Sequence, residues 1–121
     1  MENLTANVLG TEYKIETRKV SEDKFLKENH LSGYCSEDEC LIAIADLNEE
    51  QYFPNMTDFE KETYRKKTLR HELFHAFLNE SGLQDSALRP ECPWSKNEEM
   101  VDWFAIQSPK IFKVFKELDL I

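Results

Sequence analysis

His71-Glu72-Leu73-Phe74-His75 constrains this chain more than any other stretch, because its spacing has meaning only on a helix. Side chains four residues apart on a helix stand one turn above each other on the same face. Two imidazoles so placed can grip one zinc ion, and the glutamate between them can reach a water on the ion's open side. The flanking residues predict the helix this requires. Thr57-x-x-Glu60 is a capping-box pattern opening a helical stretch that runs to about Glu80. Gly82 stands where a terminating glycine belongs, with Leu83 as its apolar follower. Leu69, Leu73, Phe74, Phe77 and Leu78 make an apolar stripe beside the two histidines, so the helix needs a core to lie on.

A catalytic zinc takes three protein ligands and leaves its fourth position to water. The chain has 3 histidines, and none follows His75, so a downstream third histidine is excluded. His30 lies upstream, an unusual order. A carboxylate remains, and Asn97-Glu98-Glu99-Met100-Val101-Asp102 offers it at a predicted helix start one loop downstream. Glu98 and Asp102 are four apart and can both face the first helix. Glu98 would ligate the metal while Asp102 would accept the free N–H of His71, fixing its tautomer and orientation. Two other readings of the same residues stand: Glu99 is the ligand if the helix phase differs by one, and Ser95-x-x-Glu98 is itself a capping box. Asp102 also reads as a plain surface acid.

The remaining pattern predicts an α+β domain over residues 1–121: a small, mostly antiparallel sheet packed against the metal helix and two C-terminal helices, in the order β-α-β-β-α-α-α. Tyr13, Ile15 and Thr17 alternate with charged residues, which predicts a first strand over roughly 11–20. Ser21 caps a short helix to about Asn29, broken at Leu31-Ser32-Gly33. Gly33-Tyr34-Cys35 and Cys40–Ala45 flank an acidic tip and read as a hairpin, its second arm apolar throughout and so covered on both sides. The arm Leu41–Asp46 is the candidate edge for strand addition by an extended peptide. Residues 83–94 look irregular. A helix follows from near Ser95–Asn97 to Gln107, and Ser108-Pro109 restarts another, with Ile111, Val114, Phe115 and Leu118 on one apolar face. Trp94 and Trp103 read as packing residues.

A net charge of −9 argues against a nucleic-acid partner, since phosphate neutralisation needs a basic surface. The run Arg65-Lys66-Lys67 with Arg70 reads as a solvated helix face. Cys35, Cys40 and Cys92 are odd in number and lack paired C-x-x-C spacing. With no signal-like stretch and no apolar run long enough for a membrane span, a cytoplasmic protein with free thiols and no membrane partner is expected.

In His71, Glu72, His75, Glu98 and Asp102 the chain resembles the gluzincin metallopeptidases, whose H-E-x-x-H helix is followed by an N-E-x-x-x-D pattern on the next. Within that group it is most similar to the small ImmA/IrrE-like metallopeptidases of bacteria and mobile elements. That likeness is carried by the G-Y and L-I-x-I strand residues, Thr68-Leu69-Arg70-His71-Glu72 and Phe104-Ala105, over roughly 33–106. The resemblance implies a zincin-like fold, a Zn2+ cofactor and a narrow protein or peptide substrate, such as a repressor of a mobile element or phage. In that chemistry Glu72 is the general base, and a second donor to the developing oxyanion is expected from His30, Tyr34, Tyr64 or Arg89. A non-catalytic interaction or structural domain that keeps a zinc site is the alternative. Oligomeric state is open.

Overall fold

The computed structural model describes residues 4–83 and 93–121, and it is α+β: a four-stranded mixed sheet with three helices. In chain order these are β1 (Leu4–Val8), β2 (Thr11–Arg18), α1 (Lys24–Asn29), β3 (Gly33–Ser36), β4 (Leu41–Ala45), α2 (Asp58–Glu80) and α3 (Glu98–Glu117). The sheet order is β1-β2-β4-β3. The β1–β2 and β3–β4 pairs are antiparallel, but β2 and β4 run parallel, with Ile15 opposite Ile42 and Thr17 opposite Ile44. The expectation of a mostly antiparallel sheet thus holds for the two hairpins and fails at the pair that joins them.

That central pairing decides where the site lies. β4 is flanked by β2 and β3 and all five of its residues are buried, as its unbroken apolar run requires. Ile42 and Ile44 join Val8, Tyr13, Ile15 and Ala76 in one cluster, with Leu69 and Leu73 of α2 packed against it. A second cluster of Val20, Leu26, Ala45 and Leu47 gathers Tyr52, Phe53 and Tyr64. The arm Leu41–Asp46 is therefore interior and has no free edge for a peptide. The sheet edge beside α2 is β3.

Two elements depart from expectation. β1 was not legible: it pairs with β2 through a two-residue turn, Leu9-Gly10, with φ of 51° and 95°. Such hairpin turns favour Asn-Gly or Asp-Gly, and a leucine at positive φ hides the signal. Asn7 supplies the missing polar group, its Oδ1 accepting from Gly10 N–H at 2.7 Å. The two predicted C-terminal helices are one, with Pro109 inside it. Proline cannot bond the carbonyl four residues back, and that carbonyl, on Ala105, instead accepts from Arg70 Nε at 2.6 Å. Arg70 is thus a strut between α2 and α3 rather than part of a solvated face.

α2 begins and ends as its sequence predicts. Thr57 and Glu60 form the reciprocal capping box. Gly82 adopts φ of 83°, and Leu83 N–H returns to Leu78 C=O at 3.0 Å. Its most buried line, however, is Thr68, Glu72, Ala76 and Asn79, three of them polar, while Phe77 is exposed. Trp94 and Trp103 are both more than half exposed, although the Trp103 ring meets Phe104 edge-on. No described helix is long and apolar enough to cross a membrane.

Asp23, not Ser21, caps α1, accepting from Leu26 N–H at 3.0 Å. Its other oxygen receives Arg18 Nη1 at 3.0 Å and the Tyr34 hydroxyl at 2.8 Å, tying β2, α1 and β3 together. Burial alone would raise the Asp23 carboxyl, but these donors outweigh it and hold the group below the ordinary carboxylate range. A depressed folded-state pKa gives stability that is complete above the unfolded value of about 4 and is lost as pH falls through the folded one. Asp23→Asn is therefore expected to lower stability by about 2 kcal/mol at pH 7. Urea midpoints measured down the pH scale should show the gap to the parent closing below about pH 4.

Candidate metal centre

His71 and His75 sit on the middle of α2 with their Nε2 atoms 3.1 Å apart, both rings largely buried. Each ring is fixed through its other nitrogen. His71 Nδ1 donates to Asp102 Oδ1 at 2.7 Å, and His75 Nδ1 donates to the backbone carbonyl of Ser95. Carboxylate and carbonyl oxygens only accept, so both Nδ1 atoms carry the proton and both Nε2 lone pairs point at the same place.

Glu98, the first residue of α3, completes the convergence. Its Oε1 lies 2.5 Å from His75 Nε2 and 3.5 Å from His71 Nε2. Asn97 caps α3 through Met100 N–H at 2.9 Å, so Glu98 is not closing a helix end, and Ser95 lies in the preceding turn Trp94–Lys96. Glu99 is exposed and makes no ion pair among the described residues. Asp102 is one turn beyond Glu98, at the imidazole, as four-residue spacing demands.

Three lone-pair-bearing atoms facing one another at 2.5–3.5 Å repel unless a cation lies among them. One proton on His75 Nε2 answers the contact with Glu98 and leaves His71 Nε2 facing other acceptors. A divalent ion answers all three. Ligands around a tetrahedral zinc, with bonds of about 2.0–2.1 Å, stand about 3.3 Å apart, so small side-chain shifts convert this arrangement into a coordination shell. The donor set, two imidazoles and a carboxylate, suits that metal.

Glu72 is 6% exposed, with a carboxylate oxygen within 4.8 Å of the histidine nitrogens, a separation that admits a water between. Burial, and then the Glu98 and Asp102 carboxylates, push its carboxyl up to about 8. A buried acid at the wall of a cleft, its charged form disfavoured in this way, is a candidate for proton transfer. Gly33 of β3 makes room for it: a Cβ there would stand 2.8 Å from Thr68 Cγ2 and 3.4 Å from Glu72 Oε2.

Two clefts open on either side of this centre. One, of about 230 Å³, runs past Gly33, Cys35, Glu72, His75 and Asn79. The other, of about 260 Å³, runs past Tyr64, Thr68, His71, Glu72 and Asp102. They share Leu31, Gly33, Glu72 and Glu98, so the free edge of β3 borders both.

The candidate oxyanion donors fare differently. Tyr34 lines the His75-side cleft, but its hydroxyl donates to Asp23 and accepts from Arg18, each at 2.8 Å. His30 ends α1 in the left-handed region and lines a separate cavity with Tyr52 and Phe53. Tyr64 does line a cleft of the centre, and Arg89 falls outside the described residues. Cys35 and Cys40 are free and half-buried, while Cys92 also lies outside the described residues. Sequence reasoning missed Asn79, one turn beyond His75 and 4% exposed, because an asparagine near a helix end reads as surface. No family model, curated protein or solved structure matches this chain.

Proposed function

We propose that this protein is a zinc-dependent endopeptidase of zincin-like build. The carrying observation is the convergence of His71 Nε2, His75 Nε2 and Glu98 Oε1, with both Nδ1 protons held elsewhere, beside a buried Glu72. When bound, zinc supplies a Lewis acid that lowers the pKa of a water and polarises a carbonyl. Everything else falls to the chain. An extended substrate pairs its backbone with the open edge of β3, which sets its scissile bond between the two clefts. Glu72 takes a proton as the water oxygen bonds the carbonyl carbon, and delivers it to the amine nitrogen as the C–N bond breaks. Asp102 and the Ser95 carbonyl hold the imidazoles in one tautomer throughout. Tyr64, which lines the His71-side cleft, is the candidate donor to negative charge on the carbonyl oxygen.

A second reading, an interaction domain that keeps the metal for stability, draws on the exposed apolar side chains Phe112 and Phe115 of α3 and Leu118 at its C-cap. The two separate cleanly. Metal-stripped protein should bind one equivalent of zinc, and at about a hundredfold excess over Kd its Tm should rise by about 10 °C. The zinc-loaded protein should cleave members of an extended-peptide library, read by mass spectrometry, and a chelator should stop it. Failure to bind zinc sinks the metal centre, while zinc binding without any chelator-sensitive cleavage leaves the interaction domain.

A further inference from the structure

The cleft on the His75 side ends in a group with no assigned partner. Asn79 is 4% exposed and lines this cleft, and its Oδ1 has no hydrogen-bond partner among the described residues. Its Nδ2 is scarcely better served, with Cys35 Sγ at 4.0 Å as its one contact. Burial first, and then the Glu72 and Glu37 carboxylates, push the Cys35 thiol up to about 12, so the sulfur stays neutral and offers the amide little. A buried amide left unpaired is costly in a folded protein, and although Oδ1 is itself closed off from solvent, a turn of the side chain toward the cleft it lines lets a ligand supply its partner. Asn79 presents one acceptor and one donor side by side. The complement of that pair is another primary amide, whose NH₂ donates to Oδ1 while its carbonyl accepts from Nδ2.

Charge narrows the choice. Glu72 and Glu98 share the cleft, which disfavours a carboxylate side chain, and the nearby cation, Lys96, is engaged with Glu37 at 3.0 Å. An apolar side chain of the same shape would seal Asn79 without pairing it. We propose that this cleft receives the side chain beside the scissile bond and that Asn79 selects asparagine or glutamine there. The inference rests on the peptidase reading for its place in a reaction, but its recognition step is a binding event and is tested as one.

The probe is a set of acetylated, amidated alanine hexapeptides carrying a single Asn, Gln, Asp or Leu at each position in turn. Titrated into Glu72→Gln protein as purified, the best-placed Asn or Gln peptide should bind about 10–100-fold more tightly than its Leu counterpart, with the Asp peptide disfavoured by Glu98 alone in this background. The Asn79 side-chain amide resonances should move with the Asn or Gln peptide and not with Leu. Asn79→Leu in the same background should reverse the preference toward Leu. Equal affinities across the set, or an unmoved Asn79 amide, overturn the proposal whatever the cleavage result. An amide preference accompanied by no hydrolysis from the parent protein keeps Asn79 in its role and overturns the peptidase reading instead.

Discussion

Glu72→Gln is expected to reduce peptide hydrolysis by about 10³-fold while leaving zinc content unchanged, in line with the loss of a positioned proton-transfer group. The substitution keeps the shape of a side chain that is 6% exposed and touches neither imidazole proton, so the metal ligands have no reason to move. What it removes is a carboxylate within 4.8 Å of the histidine nitrogens that, unlike Glu98 and Asp102, neither contacts the paired Nε2 atoms nor orients a ring, and so is left to take and return a proton. It also removes a carboxyl that burial and two neighbouring carboxylates disfavour in its charged form. The variant should therefore be at least as stable as the parent without metal, by up to about 1 kcal/mol, as is common where activity and stability compete. Turnover, zinc content and urea midpoint together make the test. Parent-level hydrolysis by the variant ends the case for Glu72 as the base.

The sequence carries the local features and loses those made by distant contacts. Thr57, Glu60 and Gly82 delimit α2 through bonds spanning no more than five residues, so its ends are readable from neighbours alone. The same holds for the four-residue steps from His71 to His75 and from Glu98 to Asp102. The continuity of α3 is different: Pro109 predicts a break, and the carbonyl it leaves free is taken by Arg70, thirty-five residues away in sequence. Likewise the apolar run of β4 announces burial but not a parallel neighbour, so the peptide edge passes to β3 only once β2 is seen beside β4. Tyr34 follows the same logic, since its hydroxyl is claimed by Arg18 from one side and Asp23 from the other. In each case a propensity or motif is overruled by a partner whose position the tertiary fold decides.

Removing Glu98 should be the most damaging change to metal binding that leaves the fold intact. Its side chain is 71% exposed and contacts the two imidazoles from the first turn of α3, so Glu98→Ala takes away a ligand without opening a cavity. Losing one of three protein ligands is expected to weaken zinc binding by about 10²–10³-fold, with the metal-free urea midpoint unchanged. Asp102→Ala strips His71 Nδ1 of its acceptor and frees the ring to turn, a smaller loss of about 10–100-fold. Glu99→Ala, one residue along and facing solvent, should change neither. Competition titrations against a chromophoric chelator read all three on one scale. Because Glu98 and Glu99 are adjacent acids at the same helix start, general electrostatic attraction of a cation would weaken equally in both variants. A ranking of Glu98 above Asp102 above Glu99 thus isolates coordination geometry from charge, and equal losses at 98 and 99 would show that no ligand geometry exists.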